Sequence, residues 1–212
     1  MNSLSIVKFL AFIIFILSIL AMIGWIFDIS ILKALRPNWD TMKFPTALAF
    51  LMTSIVIITI PYYIRGNSSI SRLLLPVCSM IIFLIVTPFM MPFLFGITPE
   101  QGQLVVKSTR DVIEPVYPGA PNYASIIAFI IIASVGFLTV INFDSFMKFM
   151  VAGCILSFIG LLGVLRYFFQ NPPFLESLNG MAFRTALLIL ISGLCFILIY
   201  KYEKHNVKLL EY

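Results

Sequence analysis

Charged residues make up only 11% of this chain, and histidine occurs once, at His205. Ordinary soluble domains carry roughly a quarter of their residues as charges. With 61% hydrophobic content, this chain has too few to give a folded core a water-facing surface. One histidine excludes a bis-histidine haem or a histidine-rich metal centre built from a single chain. Cys78, Cys154 and Cys195 each fall inside an apolar run with no close spacing between any two, and a thiol there behaves as a small hydrophobe. No structural disulfide, metal site or cofactor is expected. Serines lack a histidine or lysine at the same depth, and no ionisable residue is expected deep in the apolar runs. No catalytic residue is assigned, and the chain reads as non-enzymatic.

What the sequence does contain is six long apolar runs. A helix needs about 20 apolar residues to cross a hydrocarbon core about 30 Å thick, so 212 residues hold six spans and their connections. The expected fold is an all-α integral membrane bundle forming one domain over 1–212, with spans at 6–27, 45–63, 71–95, 123–141, 146–168 and 182–200. A basic tail, 201–212, carries Lys201, Lys204 and Lys208 and extends the last helix past the membrane. The first run is longer than the roughly 7–15 apolar residues of a cleavable signal and continues through Trp25 and Phe27. It is therefore read as an uncleaved span with Trp25 at an interface. Pro45 is tolerated in a first helical turn, and Tyr62 and Tyr63 mark the far interface. Pro76, Pro88 and Pro92 predict a kink or break towards the end of the third span. Asp144 or Ser145 is placed to cap the fifth helix, and Lys148 to snorkel from its start.

Six spans put both termini on one side, here side A, opposite the longer loops of side B. Side A holds Lys8, Arg65, Arg72, Lys148, Lys201, Lys204 and Lys208; side B holds Lys33, Arg36, Lys43, Lys107, Arg110, Arg166 and Arg184. Equal numbers leave the positive-inside rule nothing to weigh. The short turns and basic tail favour side A as cytoplasmic, giving a multi-pass cell-membrane protein with both termini in the cytoplasm. The net charge of +5 is scattered over loops and helix ends, which speaks against nucleic acid and for the anionic headgroups of the bilayer.

A repeat opens the even-numbered spans. Met42-Lys43-Phe44-Pro45-Thr46-Ala47-Leu48 is matched by Met181-Ala182-Phe183-Arg184-Thr185-Ala186-Leu187. A degenerate middle copy, from Pro121 through Tyr123 and Ser125 to Phe129, keeps an aromatic residue two positions before a hydroxyl. The repeat divides the chain into three helical hairpins. Either a pseudo-threefold bundle or a sequential packing of the same helices would satisfy it.

Met42 to Leu48, Met181 to Leu187, the Phe95-Gly96-Ile97 exit of the third span and the Pro118-Gly119 before the fourth together resemble the six-helix N-terminal membrane regions of bacterial and archaeal sensor histidine kinases and diguanylate cyclases. Those regions carry a recurrent Met-x-x-x-Thr-Ala-Leu pattern at their even helices. The resemblance covers most of the chain. Two departures stand out: the middle copy lacks the Met and the Thr-Ala-Leu, and these residues leave no room for a kinase, cyclase or PAS domain. The resemblance thus implies an input module without its output.

Side B is the expected recognition end, since its loops gather Asp28, Lys33, Arg36, Trp39, Asp40 and Lys43 with Arg110, Asp111, Glu114, Tyr117, Arg166, Glu176 and Arg184. The candidate ligand-binding residues are Trp39, Met42, Phe44, Thr46, Tyr123, Ser125, Met181, Phe183, Arg184 and Thr185, forming an apolar floor beneath a charged rim. Span hydroxyls such as Ser54, Thr59, Ser134, Ser157 and Ser192, and the small residues Gly153, Ser157 and Gly160, are read as helix packing. The leading expectation is a sensory or regulatory module for a small-molecule or lipid ligand. An accessory subunit with a membrane-protein partner or in a homo-oligomer comes second, and a small transporter third.

Overall fold

The computed structural model describes residues 3–33, 39–66, 69–95, 121–141, 146–169, 178 and 180–210, with backbone alone at 91–95 and 205–210. Every regular element among them is a helix: α1 (Ser3–Ile26), α2 (Ser30–Lys33), α3 (Phe44–Ile64), α4 (Ser69–Phe95), α5 (Tyr123–Ile141), α6 (Met147–Phe168) and α7 (Phe183–Leu210). Six of the seven, all but α2, are long and apolar enough to cross a membrane. Helix α7 continues past Tyr200 through the basic segment to Leu210, as the tail was expected to do.

The helix ends follow local chemistry. Helix α1 stops where Asp28 takes a left-handed conformation (φ 55°), which lets the Ile29 amide donate back to the Gly24 carbonyl at 2.9 Å. The following turn, α2, ends in an ion pair between Lys33 and Asp28. Helix α3 starts with Pro45 in its first turn and ends at Arg65, followed by Gly66 at φ 64°. The Asn122 side-chain oxygen caps α5, accepting from the Ala124 amide at 2.8 Å. At α6 the N-cap position belongs to Phe146, which makes no side-chain cap bond; Asp144 and Ser145 lie outside the described residues. Helix α4 is not broken by its prolines and runs continuously from Ser69 to Phe95. In the turn before Pro88 the Thr87 hydroxyl donates to the Phe83 carbonyl at 2.7 Å, the kind of local bond that lets a membrane helix keep a proline.

The helices form two concentric layers. The ring runs α1, α3, α4, α5, α6, α7 and closes by contact of α7 with α1, while α3, α5 and α7 also touch one another across the middle. Of their apolar stretches, α3, α5 and α7 bury 56%, 50% and 56%, against 28%, 28% and 33% for α1, α4 and α6. Inner and outer helices therefore alternate three times round the bundle, and each hairpin contributes one of each. The contacts run as a pseudo-threefold bundle requires. On α1 the buried residues Val7, Ala11, Ile14, Ser18, Ala21 and Trp25 follow a three-four spacing, with Gly24 buried beside Trp25, leaving Phe9, Phe12, Ile16 and Leu20 facing outward. One narrow stripe of an outer helix meets protein and the rest meets lipid.

The inner helices share a burial register. Counting from the aromatic residues Phe44, Tyr123 and Phe183, the third, fourth, sixth, seventh, tenth, eleventh, thirteenth, fourteenth and seventeenth positions are buried in all three. Thr46, Ser125 and Thr185 occupy the first of these, and Phe50 and Phe129, in equivalent places, meet edge to face at 4.8 Å. Inner-helix hydroxyls mostly bond their own backbone: Thr53 to Ala49, Thr59 to Ile55, Thr139 to Val135 and Ser192 to Leu188, at 2.7–2.8 Å. The tightest seam is α6 against α7, where a Cβ on Gly160 would lie 2.7 Å from the Leu190 Cα and one on Gly193 would lie 2.5 Å from the Ser157 nitrogen. Missing side chains at Gly160 and Gly193 let the two backbones touch.

Candidate functional site

At side B the first and third hairpins are joined by a polar clasp. Asp40, just ahead of α3, places its carboxylate 2.9 Å from the Arg166 guanidinium at the end of α6 and 3.2 Å from the Tyr167 hydroxyl. Arg166 also donates to the carbonyl of Leu178, and to that of Met181 at 3.5 Å; Tyr167 donates to the Met181 carbonyl at 2.7 Å. The Arg166 side chain is 6% exposed and that of Asp40 30%. A cation this buried needs several acceptors, and the clasp supplies them from the segment leading into α7. Over it the rings of Trp39, Tyr167 and Phe183 pack at 4.8, 4.9 and 5.4 Å between centroids. Rings this close fill the space between them. Among the described residues the three rings form one aromatic cluster over the clasp.

A second tie repeats the device in the first hairpin. Trp25, at the end of α1, donates from its indole nitrogen to the Met42 carbonyl at 2.7 Å, and the Lys33 ammonium sits 4.6 Å above its ring. Trp25 is thus buried in a strap between α1 and the start of α3. Met42 and Met181, two residues before their inner helices, each present a backbone carbonyl to an aromatic donor from their own outer helix. The Met42 amide in turn bonds the Lys33 carbonyl at 3.0 Å. Arg184, in the first turn of α7, donates to the Leu32 carbonyl.

The structure brings Trp39, Met181 and Phe183 together in the clasp, with Met42 and Arg184 in straps on either side of the first loop. Phe44 is half-buried, and Thr46, Ser125 and Thr185 are buried on the inner faces. Tyr123, at the start of α5, is 54% exposed, and the clasp bonds given above run between the first and third hairpins. Arg36, Arg110, Asp111, Glu114, Tyr117 and Glu176 lie outside the described residues, as do Gly96, Ile97, Pro118 and Gly119. Tyr167 was not singled out from sequence, although a terminal aromatic on an outer span facing a repeat methionine is a signal that finds both it and Trp25.

Three ionisable residues, Arg166, Arg184 and Glu203, are buried, each towards an end of its helix and not in its middle. Glu203 lies near the side A end of α7. One of its carboxylate oxygens is buried with no hydrogen-bond partner among the described residues. The nearby Arg65 guanidinium lies 4.6 Å over the neighbouring Tyr202 ring. Elsewhere on side A, Lys8 lies 4.9 Å over Tyr62, and Lys148 donates to the Leu138 carbonyl at 3.0 Å. Long basic chains there lie along aromatic rings and helix ends.

Fold and site together define a multi-pass, all-α membrane bundle of six spans. Comparison with protein-family models, with curated proteins and with solved structures finds no match. The Met-x-x-x-Thr-Ala-Leu likeness therefore extends to a six-span membrane bundle and to no particular kinase or cyclase family.

Proposed function

We propose that this chain is a non-enzymatic sensory or regulatory membrane module. A ligand or membrane state at side B alters the hold of the first hairpin on the third, and α7 carries the change to the cytoplasmic side A. The observation that carries this reading is the clasp itself. It ties Asp40 to Arg166 and Tyr167 at the root of α7, and α7 runs without interruption from that root to Leu210. Helix α7 is also in close backbone contact with α6 at Gly160 and Gly193, so α6 and α7 move as one body. A ligand acts on such a system only by binding one packing better than another.

The test is a ligand-dependent thermal shift of the purified full chain against fractionated lipid and metabolite extracts, with Trp39→Ala and Arg184→Ala alongside. A fraction that raises the midpoint of the native protein, with the shift reduced in both variants, supports the reading. Silence from every fraction, or shifts untouched by either substitution, defeats it.

A further inference from the structure

Among the described residues Arg184 is a cation without a counter-charge. It is 8% exposed, and its guanidinium is protonated at any physiological pH. Among the described residues its one hydrogen bond goes to the Leu32 carbonyl, and it makes no ion pair. The described carboxylates at the same end are engaged elsewhere, Asp40 by Arg166 and Tyr167, and Asp28 by Lys33. A guanidinium offers five N–H donors in a planar fork, so one carbonyl leaves most of them unused. None of its nitrogens is among the buried atoms without a partner, so the unused donors reach the protein surface, where an anion can meet them. The first-turn amides of α7 have no intrahelical acceptors; that of Phe183 turns to the Tyr167 oxygen, and the rest of the turn adds to the positive potential there.

We infer that Arg184 anchors a site for a single oxyanion, a phosphate group, held by the guanidinium fork beside the start of α7. The inference rests on the reading of side B as the recognition end and names the chemistry of its ligand. Trp25, Trp39 and Tyr167 all lie at this end of the bundle, the level of a span at which Trp and Tyr are enriched beside a membrane's headgroup layer. A phospholipid headgroup and a free phosphate share the required chemistry. A guanidinium takes two oxygens of such a group side by side, which neither the Leu32 carbonyl nor water can match.

The assay uses the only two tryptophans in the sequence, both at this end. The Lys33 ammonium stands over the Trp25 ring, one residue from the carbonyl that holds Arg184. The full chain is placed in nanodiscs of pure phosphatidylcholine and titrated with inorganic phosphate, then compared in discs with increasing phosphatidylglycerol. Arg184→Gln keeps an amide donor for Leu32 and loses the charge; Arg65→Gln controls for the basic side A. A saturable change in tryptophan emission that weakens at least tenfold in Arg184→Gln and persists in Arg65→Gln supports the site. Response to inorganic phosphate identifies a free anion; response only to phosphatidylglycerol identifies a headgroup. Emission unchanged by either anion, or a response lost in Arg65→Gln and kept in Arg184→Gln, overturns the anion site. If the native protein still responds to an uncharged fraction in the thermal-shift test, the sensory reading survives that failure.

Discussion

Replacing Gly160 by alanine sets two effects of opposite sign against each other, and the structure decides between them. In a helix interior alanine is favoured over glycine by about 1 kcal/mol, so an outward-facing glycine would gain stability from the change. Gly160 faces α7, and its new methyl would sit 2.7 Å from the Leu190 Cα and 2.8 Å from its Cβ. Ordinary contact begins near 3.4 Å. The obstacle is backbone, which has no rotamer to change, so α6 and α7 must separate by most of an ångström. Overpacking of this kind costs about 1–3 kcal/mol, and parting the seam also forfeits neighbouring contacts. The net expectation for Gly160→Ala is a loss of about 1–2 kcal/mol. Gly193→Ala meets the Ser157 nitrogen across the same seam. The double variant should cost less than the two single losses together, because the first methyl has already parted the helices. Unfolding in mixed micelles, followed by tryptophan emission and circular dichroism, reads both effects. A Gly160→Ala protein more stable than the native one would refute the tight α6–α7 seam.

Two further outcomes follow from the buried charges. In a double-mutant cycle over Asp40→Asn and Arg166→Met the pair should show a coupling of about 1–3 kcal/mol, kept below the full value of a buried ion pair by the partial exposure of Asp40; additive losses would mean the clasp is not formed. Glu203→Met replaces a carboxylate that has one partnerless oxygen with an apolar chain of similar length. It should leave the midpoint unchanged or raise it, and a clear drop would show that the carboxylate has a strong partner.

The spans were legible because hydropathy over a membrane-length window depends on composition alone, and composition is what the bilayer selects. The matching starts of the even spans were legible as a repeat, but that these spans form the inner layer was not. An aromatic residue two positions before a hydroxyl fixes the phase of a 3.6-residue period, and Thr46, Ser125 and Thr185 fall on the same face once that phase is set. The clasp was not legible. Asp40 and Arg166 stand 126 residues apart, and nothing local tells a buried partner from a solvated loop charge. The burial of Trp25 was not legible, because a tryptophan at a span end reads the same whether it turns to lipid or to protein; the Met42 carbonyl that holds it becomes visible only in the fold. Glu203 was overlooked among Lys201, Lys204 and Lys208, in a segment whose basic character suggested exposure. The prolines of α4 suggested a kink or a break because proline removes a donor; the helix is unbroken from Ser69 to Phe95, so its remaining bonds suffice to carry it past them.

The central claim is that releasing the side B clasp is felt at the far end of α7. The most direct measurement places spin labels at Ile70 and Lys201, both exposed on side A, in a background lacking Cys78, Cys154 and Cys195. Their separation is then compared by pulsed electron resonance between the native clasp and Asp40→Asn. The account predicts that the variant shifts or broadens the distance distribution by about 1–2 Å, the scale of helix displacements in switching bundles. Superimposable distributions, in a variant whose clasp is shown to be weakened, would contradict it.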